Sequence, residues 1–270
     1  MIEIKTKPQG AEITSIKKDG KERIHDGKKD WNRHAPVLFP IVGQIKNGET
    51  KIEGKTYKMG QHGFARDMLF QEEGPHTYKL TYNEQTLEKY PYKFKLVISH
   101  KTLGENEVET SYSITNLDDK TIYFGLGGHP AFVCDYKNAE IEFEKEEPEI
   151  NIYQLENGLI KEEPEEATKF TDKKTIKLQE NTFDNDAIIM KNLKSNYIIL
   201  KENGNQILKF DFTDFPILAI WSKKDANFLC IEPWFNTADT VNSNGNFEEK
   251  EGIIKLKPNE KFEAKYKILF

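Results

Sequence analysis

Val108-Glu109-Thr110-Ser111-Tyr112-Ser113-Ile114-Thr115 is the stretch that decides the fold class. Val108, Thr110, Tyr112 and Ile114 alternate with Glu109, Ser111, Ser113 and Thr115, the period of a strand with one face turned inward. The C-terminus repeats the pattern, with Phe262, Ala264, Tyr266, Ile268 and Phe270 set against Glu263, Lys265, Lys267 and Leu269. Between these lies a legible hairpin: NYIILK and QILKFDF flank Glu202-Asn203-Gly204-Asn205, and Asn-Gly accepts the positive φ angles of tight turns. Similar punctuation stands at Lys18-Asp19-Gly20, Lys46-Asn47-Gly48, Glu53-Gly54-Lys55 and Pro258-Asn259-Glu260. No amphipathic helix longer than one or two turns is visible, and no internal repeat. The acidic stretch from Glu144 to Glu166, broken by Pro148, Gly158 and Pro164, reads as solvated loop around short strands. The expectation is one large antiparallel β domain over residues 1–270, a sandwich or a barrel.

Composition narrows the function. The chain has 270 residues, a formal net charge of −6, 37% hydrophobic and 11% aromatic residues, enough to fill a core and to exclude wholesale disorder. A pI of about 5.7 argues against non-specific nucleic-acid binding, which needs clustered positive charge. No apolar run approaches the ~20 residues that cross a bilayer. The N-terminus MIEIKTKPQG has no charged-then-apolar signal pattern, so a cytoplasmic location is expected. Cys134 and Cys230 stand at no metal-ligand spacing from other Cys or His and read as reduced thiols. Arg is scarce, with Arg23, Arg33 and Arg66 alone among 39 basic residues. Arg is retained best where its planar fork is needed, and two of the three fall between Trp31 and Asp67.

Three segments are stranger than a β framework requires. Gln61–Asp67 sets a His, an Arg and an Asp around Gly63. Gly125-Leu126-Gly127-Gly128-His129-Pro130 follows a strand-like run, and its glycines suggest close approach of backbone to a ligand. It is no dinucleotide fingerprint, because the third glycine is missing and Pro130 stands where a helix should begin. Cys230-Ile231-Glu232-Pro233-Trp234 puts a carboxyl in an apolar setting, where desolvation raises its pKa. Each has a bland alternative: a hydrogen-bonded structural His, a Glu paired with a Lys, and Trp31, Trp221 and Trp234 as core. There is no GxSxG elbow, Walker loop or HExxH.

Taken together, APVLFPIVG (Ala35–Gly43), QHGFARD (Gln61–Asp67), GGHPAF (Gly127–Phe132), NDAII (Asn185–Ile189) and IEPW (Ile231–Trp234) resemble the aldose 1-epimerase, or galactose mutarotase-like, family in its LacX-like branch. The resemblance spans the whole chain and implies a large antiparallel β supersandwich. It also implies a mutarotase, an isomerase of carbohydrate metabolism that interconverts the α and β anomers of a free aldose. By that resemblance Glu232 is the base for the C1 hydroxyl and His129 the acid for the ring oxygen. Asp186, His62 and Arg66 hold the sugar, with Gln44 and Trp221 also expected at the substrate. No cofactor or metal is implied. The partner is a small monosaccharide, with neither nucleic acid nor membrane involved, and a homodimer is left open. Two departures stand out: Gln44 replaces an Arg that many relatives carry, and Trp234 is followed by Phe235-Asn236 without the usual glycine.

Three alternatives stay open at this point. A hexose-6-phosphate mutarotase would want converging Arg forks, which Arg33 and Arg66 could supply. A non-catalytic sugar-binding or sensing protein would need neither acid nor base. A glycoside hydrolase would pair Glu232 with Asp186 and leave His129 idle. For mutarotation, Glu232 must be ionised and His129 protonated, and a nearby carboxylate is expected to raise the His pKa towards neutrality.

Overall fold

The structure is a computed structural model that describes residues 1–28, 30–147, 150–164 and 172–270. Pro148 and the 165–166 end of the acidic stretch lie outside the described residues. The strand Glu107–Asn116 and the C-terminal strand Lys261–Leu269 are antiparallel neighbours, with Val108 opposite Ile268, Thr110 opposite Tyr266 and Ile114 opposite Phe262. That register puts both apolar sets on one face, as period two demands. The pair sits inside a nine-stranded sheet that includes Phe94–Leu103 on one side and Tyr197–Glu202 with Asn205–Asp211 on the other. The last two form the expected hairpin, with Asn203 and Gly204 at φ 50° and 77°.

A second, seven-stranded sheet carries the site. Its central strands are Ile188–Lys191, Ile217–Trp221 and Phe228–Trp234, joined by the short Gly127–Gly128, Val37–Leu38 and Ala131–Val133. All strand pairs in both sheets are antiparallel. One apolar cluster draws on both sheets: Ile98, Tyr112 and Ile114 from the first, and Met190, Leu218, Ile220, Leu229 and Ile231 from the second. The architecture is the expected all-β sandwich. The single α-helix among the described residues is Glu84–Leu87, closed by an Asn83 capping box.

Period two explains why the second sheet also has a buried outer face. Every residue of Phe228–Trp234 is buried. Leu229 and Ile231 enter the inter-sheet core. Cys230 and Trp234 join separate apolar clusters, with Ala219 in one and Phe228 in the other. The strand is thus covered on both faces, by the first sheet on one and by loops on the other.

Candidate active site

Glu232 is held at the centre of this outer face. Its strand is flanked by Ile217–Trp221, which places Ala219 directly opposite Glu232, and by Gly127–Gly128, which leads straight into His129. His129 Nε2 and Glu232 Oε2 stand 3.2 Å apart, and the carboxylate oxygen has no aligned hydrogen-bond partner among the described residues. His129 is 7% exposed and Glu232 1%. A buried carboxyl with so little to satisfy it resists ionisation: burial, and then the nearby Asp186 carboxylate, push Glu232 well above the usual carboxylate range.

His129 departs from the sequence expectation. Burial and then the Arg66 guanidinium pull it down to about 3, instead of a carboxylate raising it. Solvent loss and a nearby cation both disfavour imidazolium, and they outweigh the acidic groups.

His62 lies beside it, ring centroids 5.5 Å apart and nearly perpendicular. It has left-handed backbone (φ 64°), as does Gly63 (φ 73°), where a Cβ would fall 2.2 Å from the Phe39 carbonyl oxygen. Only glycine fits there. His62 N donates to the Gly43 carbonyl (2.8 Å), and Gly43 N donates back to His62 Nδ1 (3.0 Å). With Nδ1 accepting, the proton of the neutral ring belongs on Nε2. Burial, then His129 and Arg66, hold the ring well below the usual imidazole range, so it stays neutral.

These groups open onto a cavity of about 230 Å³ whose wall includes His62, Arg66, His129, Asp186, Trp221 and Glu232. Six expected site residues are therefore brought together from distant parts of the chain. Gln44 is not. Its side-chain amide lies against Gly158, where a Cβ would meet its Oε1 at 2.4 Å, and Gly158, not Gln44, lines the cavity. Asp186 sits at the mouth, exposed, with left-handed backbone (φ 71°) and Oδ1 accepting from Ala187 N at 2.8 Å. Arg66 donates from Nη2 to the Gln61 carbonyl (2.8 Å), while Arg33 is engaged by Asp67 at 2.8 Å.

Trp31 stacks on the His129 ring at 4.8 Å between centroids, and Trp221 meets both at about 6 Å. His25 braces Trp31 through Nε2 to its carbonyl oxygen, 2.9 Å. Phe132 is elsewhere, packed in the inter-sheet core against Phe210.

Some contributors were not singled out in the sequence. Leu155 and Gly158, from the segment expected to be solvated loop, form part of the wall. In the same segment Glu147 is buried and accepts from the backbone N–H of Lys194 and Ser195. Trp234 also lines the cavity. The glycines before His129 serve a different purpose from the expected approach to a ligand. They admit protein side chains: a Cβ on Gly125 would meet Asn236 at 2.2 Å, on Gly127 Trp234 at 2.8 Å, and on Gly128 Tyr112 Oη at 2.9 Å. Asn236, at the position where a glycine was expected, is fully buried in the space that Gly125 leaves.

Two packed antiparallel sheets thus carry a buried His–Glu pair, with Trp31 stacked on His129 and Trp221 set edge-on to both. The family model for aldose 1-epimerase matches residues 2–269, and the chain belongs to that family. It is similar to the chromosomal protein LacX of Lactococcus lactis subsp. lactis, 30% identical over 99% of this chain and 96% of that one. Among solved structures it is similar to a galactose mutarotase related enzyme from Lactobacillus acidophilus, with a TM-score of 0.88, 32% identity, and 100% of this chain and 94% of that one covered. It also resembles a galactose mutarotase-like protein from Lactobacillus casei ATCC 334, with a TM-score of 0.89, 26% identity, and coverage of 99% and 96%.

Proposed function

We propose that the protein is an aldose mutarotase in which His129 and Glu232 move protons between O1 and the ring oxygen of a free aldose. The observation that carries this reading is the 3.2 Å approach of their side chains in the wall of a small cavity. Ring opening needs an acceptor for the C1 hydroxyl proton and a donor for the ring oxygen. A pair holding one proton between them offers both at once.

In the free protein burial raises Glu232 and lowers His129, which favours that proton on the carboxyl. For Glu232 to act as base and His129 as acid, the proton crosses the contact between them. Sugar hydroxyls donating to the carboxylate favour that shift by stabilising its charge. C1 then opens to the aldehyde, rotates about C1–C2, and recloses by the reverse transfers. His62, with its proton fixed on Nε2, is a donor for a ring or hydroxyl oxygen. Arg66 and Asp186 offer a donor fork and an acceptor for other hydroxyls, and the Trp31 and Trp221 rings suit the C–H face of a pyranose.

A neutral sugar is favoured over a phosphosugar. Arg33, the second guanidinium a phosphate would want, is bound to Asp67, and neither it nor Gln44 lines the cavity. Polarimetry or NMR of freshly dissolved α-anomers tests the reading. Glucose or galactose should equilibrate faster with protein than without it, and glucose 6-phosphate should be the poorer substrate. No acceleration with any aldose would leave a sugar-binding protein.

A further inference from the structure

Cys230 reads in the sequence as a reduced thiol with no Cys or His near it at ligand spacing. The fold changes its neighbours. Cys230 and Glu232 are two residues apart on one strand and so project from the same face. His129 reaches them from the adjacent turn. The Cys230 sulfur, one His129 ring nitrogen and one Glu232 carboxylate oxygen all lie within 4.8 Å of one another, and all three residues are buried. Glu232 Oε2 is buried without a hydrogen bond among the described residues and lies 3.2 Å from His129 Nε2.

We infer that His129, Cys230 and Glu232 form a three-donor site for a thiophilic divalent cation of the zinc class, whose binding takes the proton-transferring pair out of use. Tetrahedral zinc, with sulfur at about 2.3 Å and nitrogen or oxygen at about 2.0–2.2 Å, has donor–donor edges of roughly 3.3–3.6 Å. The Nε2–Oε2 contact already has nearly that length. Drawing in the thiol from 4.8 Å or less takes a shift of about 1 Å. Thiolate and carboxylate together balance a divalent charge, while sulfur selects zinc or cobalt over magnesium or calcium. Binding releases to solvent the thiol proton and the proton the pair shares. His129 and Glu232 line the cavity, so metal and sugar compete for them. Arg66 and Arg33 oppose a cation there and Asp186 favours it.

The metal site stands on geometry alone; that occupancy inhibits rests on the mutarotase reading. Titration of the whole purified protein with Co²⁺ tests the first. A thiolate-to-cobalt charge-transfer band should grow to one equivalent and be displaced by Zn²⁺. Cys134→Ser should keep the band. Cys230→Ser, and Cys230→Ala, which preserves apolar packing, should abolish it. Zinc inhibition of mutarotation, each variant compared with its own metal-free rate, should weaken in the Cys230 variants by about 10-fold or more, since losing even a hydrogen-bond partner of a ligand costs on that scale. A band that survives in both Cys230 variants, or no band in the unaltered protein, overturns the site. Mutarotation that zinc leaves untouched while the band forms overturns the inhibition. If the band forms through Cys230 but no aldose is turned over, the metal site stands and the mutarotase reading falls.

Discussion

A carboxyl and an imidazole 3.2 Å apart and shut away from bulk water cannot titrate as they would in solution. Their two pKa values belong to the pair, and burial spreads them apart. The upper step, loss of the last proton, moves well above the usual carboxylate range with Glu232. The lower step, gain of a second proton, falls with His129 to about 3. The proposed mechanism needs one proton on the pair, so kcat/KM against pH should be bell-shaped but broad. Its acid limb should lie well below the about 6.5 of an ordinary imidazole. Equilibrium NMR exchange between anomers, corrected for the uncatalysed rate, reads this directly; an acid limb centred near 6.5 would mean that His129 titrates as if solvated. Both residues stood out in the sequence, in a glycine run and in an apolar strand, but their roles as a pair were legible only through the family resemblance. The direction of the His129 shift was not legible, because it depends on Arg66 and Trp31 arriving from another part of the chain.

Strands show the same division. The alternation of Glu107–Asn116 and Lys261–Leu269 was readable because each has one face inward, and the pairing between them was not, since period two names no partner. Phe228–Trp234 gave no such alternation, being buried on both faces. Yet its spacing already placed Cys230, Glu232 and Trp234 on one side, and that was the available signal for Trp234 and Cys230. The short strand Gly127–Gly128 is set by space. A methyl on Gly128 would lie 2.9 Å from both Tyr112 Oη and Tyr266 Cε1, two rings in the inter-sheet core. Overpacking of that kind costs about 1–3 kcal/mol. Gly128→Ala should therefore lower the urea midpoint and, by displacing His129, the turnover rate. Gly60→Ala, where nothing lies within 4 Å, should change stability by less than about 0.5 kcal/mol. Equal midpoints for the two variants would remove the steric account of the glycine run.

For the molecule as a whole, buried titratable groups set how stability responds to pH. Burial pulls His100 down to about 4, against its bond to the Ala11 carbonyl, and His129 down to about 3, from an ordinary value of 6.5. Below pH 6.5 the unfolded chain takes up protons these rings refuse, so stability is lost as pH falls from about 6.5 towards 4 and 3. Glu12, lowered from 4.5 to about 2 against burial by His34 and Lys7, adds stability that is full above pH 4.5 and lost towards 2. Glu232 works the other way: its raised value means the fold holds a proton that the unfolded chain releases, which costs stability above pH 4.5. Thermal melts should thus show Tm falling on acidification from pH 6.5; a Tm unchanged down to pH 4 would contradict neutral buried His100 and His129. On the proposed mechanism the Glu232 cost is kept for chemistry, as is common at functional sites. Glu232→Gln tests that claim most directly, with anomer exchange and melting measured on the same sample. The account predicts turnover lowered by about 10²-fold or more, sugar binding kept, and Tm at pH 7 raised. Mutarotation at the unaltered rate in Glu232→Gln would contradict it.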